Sequence, residues 1–181
     1  MVKNLSFVII ILLICGCSAS KKTIIADSLD ETPVITGSVV NASAFQKGGT
    51  LVLGSFKPGV GAAADDETDR LSAMMIKGIK DTLPEDNTHF TLTTDNPNGS
   101  DFFLEGYIDD YGRDKHYSPV KLRKNQVHLS IDGQIWLRET GEKVFLFQTA
   151  CIIDLKTQNP NTVAYDIGIS IAHFITSKES G

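Results

Sequence analysis

Between residues 126 and 138 apolar and polar side chains alternate. Val127, Leu129, Ile131, Ile135 and Leu137 fall on one face; His128, Ser130, Asp132, Gln134, Trp136 and Arg138 fall on the other, and Gly133 interrupts the apolar row. A period of two with one polar side predicts a strand that packs on one face and is wet on the other. Glu139-Thr140-Gly141-Glu142 forms a tight turn, so the run from Lys143 to Leu155 is the antiparallel hairpin partner. That partner is apolar on both faces, which predicts a central or otherwise covered strand.

Elsewhere the period changes. Gly48-Gly49 launches an apolar strand over 50–57, and the Gly/Pro-rich stretch 57–64 reads as a loop. From a cap at Asp65 or Asp66, apolar residues recur at Leu71, Met74, Met75, Ile79 and Leu83, the three-four spacing of one helical stripe. Asp66, Glu67 and Asp69 sit in its first turn, where unpaired N–H groups and the helix dipole favour negative charge, and Pro84 ends it. Strands are predicted over 89–94 and 101–112. A last helix is capped by Asn159, carries Pro160 in its first turn, and turns Ala164, Ile167, Gly168, Ile171, Ala172 and Ile175 inward. The order β-α-β-β-β-β-α predicts an α+β, two-layer sandwich: a mainly antiparallel sheet of about five strands with two helices on one face.

The first residues follow another logic. Behind Lys3, an apolar run of roughly ten residues reaches Ile14, the length of a signal-peptide core and too short to span a bilayer. Ile14-Cys15-Gly16-Cys17 then resembles the bacterial lipoprotein processing box, with Ile where Leu is usual and Cys15 in an unusual second place. The resemblance implies a signal peptide over 1–16 and a lipidated Cys17. Ser18 after it implies transfer to the periplasmic face of an outer membrane. Two or three acyl chains, at about 0.8 kcal/mol per buried CH2, make a lasting anchor. Residues 17–48 then serve as a tether or an extended arm, with Pro33-Val34-Ile35 able to pack on the domain, and 49–177 as the single α+β domain.

Removal of residues 1–16 leaves 165 residues, one domain with a real core, and sixteen basic residues against 22 acids, a formal charge of −6. Such an acidic chain is a poor partner for nucleic acid or for anionic lipid. Cys151 becomes the one remaining free thiol and sits in an apolar strand pattern, so burial is expected. The stretch Gly59-Val60-Gly61 before a helix lacks the spacing and lysine of a phosphate loop, and four nearby acids would repel an anion; no nucleotide and no cofactor is expected. His89, His116, His128 and His173 show no metal-ligand spacing. Asp109-Asp110 reads as a solvated strand end. Glu105 and Asp132 would face each other across strands only in one register, and the loops are short for a deep pocket.

Together, residues 49–59, a helix with paired Met residues, Ser100 to Gly112 and the hairpin from Ile135 to Phe145 resemble a group of small envelope lipoprotein domains. That group contains the curli-secretion channel lipoprotein, the lipoprotein activators of penicillin-binding proteins, and the N-terminal domain of the Tol system's propeller protein. Its members form rings around export pathways or dock onto an enzyme, and as a rule are not enzymes. This chain lacks the long inserted segments from which the channel lipoprotein builds its barrel. The resemblance implies an outer-membrane-anchored, non-enzymatic accessory that contacts other envelope proteins or itself, rings included. The candidate contact residues are Trp136, Gln134, Arg138, Phe103 and Tyr107, a large ring beside polar and arginine side chains being a common composition for a protein contact. The tail or the segment 33–45 would cover that face if it folded back. The competing expectation is a small periplasmic hydrolase using Glu105, Asp109 or Asp132 with a histidine.

Overall fold

The computed structural model describes residues 33–84, 89–93, 99–112 and 122–177. Cys17 and His116 lie outside them. The elements run β1 (Ile35–Val39), α1 (Ala42–Lys47), β2 (Gly49–Gly61), α2 (Asp66–Thr82), β3 (Phe90–Leu92), β4 (Phe102–Gly112), β5 (Gln126–Leu137), β6 (Lys143–Asp154) and α3 (Pro160–Thr176). One six-stranded sheet has the order β1-β6-β5-β4-β2-β3. The α+β class holds. The count differs from the expected five strands and two helices, because residues 35–47 supply an edge strand and a short helix.

The sheet is also more mixed than expected. β4, β5, β6 and β1 are joined antiparallel, but β2 runs parallel to both β3 and β4. The crossover through α2 returns the chain to the end where β2 begins, so β3 runs parallel to it, and β4 enters from that same end. The stretch Pro58–Gly61 continues β2 alongside β4, with irregular register, where a loop was expected.

The local chemistry accounts for each end. The carboxylate of Asp65 accepts from the N–H groups of Glu67 and Thr68 at 3.1 and 2.9 Å, starting α2. Those bonds hold the Asp65 carboxyl below the usual carboxylate range, with Thr68 N–H the main cause. Asn41 caps α1 by accepting from Ala44 N–H, and Gly48 ends it at φ 63°, a left-handed conformation that favours glycine. Asn159 caps α3 with Pro160 at its start.

The three helices of the described residues lie on one side. Leu71, Met75 and Ile79 of α2 and Ala164, Ile167 and Ile171 of α3 join Leu104, Ile108, Leu129, Ile131 and Ile135 of the sheet in one buried cluster. α2 and α3 touch through glycines: a Cβ at Gly78 would lie 2.2 Å from Tyr165 O, and one at Gly168 2.2 Å from Met75 O. Phe45 of α1 stacks on Phe145 at 5.3 Å and meets Phe90 edge-on at 5.5 Å. Gly133, the break in the alternation of β5, lies under Phe147, whose ring would be 2.1 Å from any Cβ there. Cys151 is buried on this side, and burial pushes its thiol up to about 12.

β6 is an interior strand as expected, between β1 and β5, but only its inner face is covered. Among the described residues nothing packs over the outer side of the sheet, where Leu146, Ala150 and Ile152 are half-buried and Gln148 is exposed. The segment 35–39 widens the sheet and does not fold back across that side.

Candidate functional site

The outer face is built by the odd residues of β4 and the even residues of β5. Register pairs Phe103 with Trp136, Glu105 with Gln134 and Tyr107 with Asp132. Strand alternation therefore gathers four of the five candidate contact residues on one surface. The Trp136 and Phe103 rings meet at 5.2 Å, tilted by 47°. Trp136 is half-buried by this contact and not the freely exposed ring that the sequence suggested. Its Nε1–H is buried without an acceptor among the described residues. A buried unmade hydrogen bond costs about 1–3 kcal/mol, so this donor is a place where an incoming acceptor gains more than an ordinary contact.

Below the aromatic pair lies a polar belt. Gln134 Nε2 donates to Glu105 Oε1 at 3.4 Å, and Lys57 Nζ approaches Glu105 Oε2 at 3.5 Å. Tyr107 is exposed. Asp132 faces an open groove of about 590 Å3 that crosses β4, β5, β6 and β1, with Leu146, Gln148, Thr36 and Ser38 on its far side. Partial burial, and then the charge of Asp109, push the Asp132 carboxyl above its ordinary value. Arg138, the fifth candidate, lies just past β5, where its N–H donates to Asp101 O and its Nη1 to Ser100 Oγ at 3.2 Å.

A pair that the sequence did not reveal lies at the other end of the face. β4 shifts register between Ile108 and Asp110, so both Asp109 and Asp110 fall on the side of Ser130 and His128. Asp110 is 3% exposed, against the expectation of a solvated strand end, and its Oδ2 lies 3.0 Å from His128 Nδ1. Its Oδ1 has no partner among the described residues. The signal was present as two aspartates in succession inside a period-two strand, where alternation allows only one to face outward.

Of the carboxylates in the hydrolase reading, Asp109 bears on Asp132 across the strands, while Glu105 stands apart from both. Glu105 is opposite Gln134 and not Asp132, and it is held by Gln134 and Lys57. His128 is taken by Asp110. No group of three His, Cys, Asp or Glu side chains among the described residues could hold a metal ion.

No family model matches this sequence, and no curated protein does. Solved structures share its fold. The subunit of the PelC dodecamer from Paraburkholderia phytofirmans superposes with a TM-score of 0.52 at 8% identity, over 82% of this chain and all of that one. A second crystal form, of a single-substitution PelC variant and also a dodecamer, gives 0.50 at 7% identity with the same coverage. At such identity the likeness is one of fold.

Proposed function

We propose that this chain is a non-enzymatic docking and oligomer-forming domain, lipid-anchored through Cys17 at the periplasmic face of the outer membrane and serving a cell-envelope assembly or export system. The observation that carries the reading is a sheet face that no described residue covers, with the Phe103–Trp136 pair and an indole N–H that has no acceptor among the described residues. Large aromatics with a desolvated donor, rimmed by Gln134, Glu105 and Tyr107, have the make-up of a contact centre in which a few residues carry most of the binding energy. Two further considerations support it: the fold is shared with the subunit of a dodecamer, and the stretch 14–17 resembles a processing box that would make Cys17 the lipidated residue. Partners are then other envelope proteins or further copies, a ring included, with no nucleotide or nucleic acid.

The test uses the full chain in detergent. Trp136→Ala should weaken assembly or partner capture by about 2 kcal/mol or more, read as the shift in dissociation constant by sedimentation, with the unfolding transition retained. Trp136→Phe keeps a ring on Phe103 and removes the donor; it should lose part of the affinity. Unchanged assembly and unchanged crosslinking to envelope proteins in both variants would overturn the reading. The hydrolase alternative keeps one observation in its favour, the raised Asp132 carboxyl beside the groove. A cellular role that survives alanine at Glu105, Asp109 and Asp132 together would remove it.

A further inference from the structure

Among the described residues the sheet has two edges of different character. β3 closes one with three residues, whereas β1 closes the other with five, and residues 33–45 carry no charge. Open edges present unpaired N–H and C=O groups, and monomers usually guard them with lysine, proline or a bulge. Residues 34–40 have none of these. Instead, Val34 and Val40, at the two ends of the strand, are 74% and 54% exposed.

The stretch itself is nearly palindromic. Val34-Ile35-Thr36-Gly37-Ser38-Val39-Val40 reads alike in both directions about Gly37: valine against valine, Ile35 against Val39, Thr36 against Ser38. Antiparallel pairing with an identical strand is the arrangement in which such symmetry matters, because each residue then faces its mirror position. The ladder phase agrees. Val40 N–H donates to Val144 O at 2.8 Å and Val34 O accepts from Thr149 Oγ1 at 3.1 Å, both on the β6 side. Alternation then directs the N–H and C=O of Ile35, Gly37 and Val39 away from β6.

We propose that two copies of this chain pair antiparallel through the outer edges of β1 about a two-fold axis at Gly37. The proposal rests on the self-association reading above and names its surface. Gly37 of each copy exchanges both backbone bonds with the other, and Ile35 pairs with Val39 on either side, about six bonds in all. Val34 of one copy lies against Val40 of the other, removing both exposed valines from water. The axis stands perpendicular to the sheet. Both helix layers therefore lie on one side and both Phe103–Trp136 faces on the other, making one doubled contact surface.

Register-specific charge tests this. Full-length chain in detergent is followed by sedimentation over a concentration series, with thermal unfolding of each variant as the control for folding. V34K/V40K sets lysines directly opposite each other twice and should weaken the dimer about tenfold or more. V34K/V40D sets each lysine opposite an aspartate and should restore it. A wild-type assembly unmoved by either variant would overturn β1 as the surface and leave the docking reading standing. A wild type that stays monomeric would also overturn the dimer. In that case the docking reading is decided separately by the Trp136 variants and crosslinking.

Discussion

Along β4, Phe102, Leu104 and Ile108 are buried under the helices, while Phe103, Glu105 and Tyr107, the residues between them, look out from the uncovered side. The same alternation runs through β5 and β6. On the covered face, identity follows from volume: large rings sit where a glycine leaves room, as Phe147 does over Gly133 and Phe56 over Gly106. On the open face, identity follows from chemistry that the fold does not need. Among the described residues an indole N–H lacks an acceptor and a buried aspartate keeps one oxygen unpaired, and the charge of Asp109 bears on Asp132 across the strands. Protein interiors rarely leave such groups unpaired. One face holds the molecule together, and the other holds groups that an isolated domain would do better without.

The largest effect should come from emptying the covered face. Phe147→Ala removes a ring that lies over Gly133 and meets Phe145 at 6.1 Å and Phe56 at 6.5 Å. Rigid neighbours cannot refill that space, so urea titration should show a loss of about 3–5 kcal/mol. If the open face were equally structural, Trp136→Phe would cost as much; the comparison predicts a small fraction of it.

Overfilling the same contact sharpens the point. Gly133→Ala drives a methyl into the Phe147 ring and should cost about 1–3 kcal/mol. Combined with Phe147→Leu, which removes the ring's far atoms, part of that loss should return. The double variant would then be less destabilised than the sum of the two singles, the signature of residues in contact. Simple additivity would mean that Gly133 is required for some reason other than the ring.

Gly133 also marks the limit of what the sequence discloses. The period-two run in β5, the turn at 139–142 and the stripe of α2 were legible because each pattern is local and long enough to repeat. Gly133 appeared only as an interruption, since its reason is a phenylalanine on the next strand. For β1 the sequence offers only an arm beginning at Pro33-Val34-Ile35, for the same cause: five residues with glycine at the centre become a strand only through β6, where a Cβ at Gly37 would lie 2.3 Å from Leu146 O. α1, six residues long, is too short for a helical period, although Asn41 and Gly48 at its ends are cap signals. The parallel pairing of β2 with β3 depends on the α2 crossover. For the candidate site, alternation brought Phe103, Tyr107, Gln134 and Trp136 together in advance. The Asp110–His128 pair depended on a bulge, and a bulge moves the register without changing composition.

The smallest effect concerns Asp132, and it separates the two faces by pH. Its carboxyl is raised in the folded protein, first by burial and then by Asp109, so the folded state holds the proton more tightly than the unfolded chain. Between the ordinary carboxylate value and the raised one, folding takes up protons, and stability therefore falls as pH rises through that window. Below it the group is neutral in both states and contributes nothing. Asp132→Asn removes the ionisation, so the variant should be more stable than wild type at neutral pH and indistinguishable from it in acid. Thermal unfolding from pH 3 to 7 reads this directly, as a gap in melting temperature that opens with pH. Because Asp132 is exposed toward the groove, solvent screens much of the repulsion and the gap should be modest. A gap that closes with rising pH would mean that the Asp132 carboxylate is held by favourable contacts in the folded state. The open face would then be stabilised by its own charges, as the covered face is by its rings.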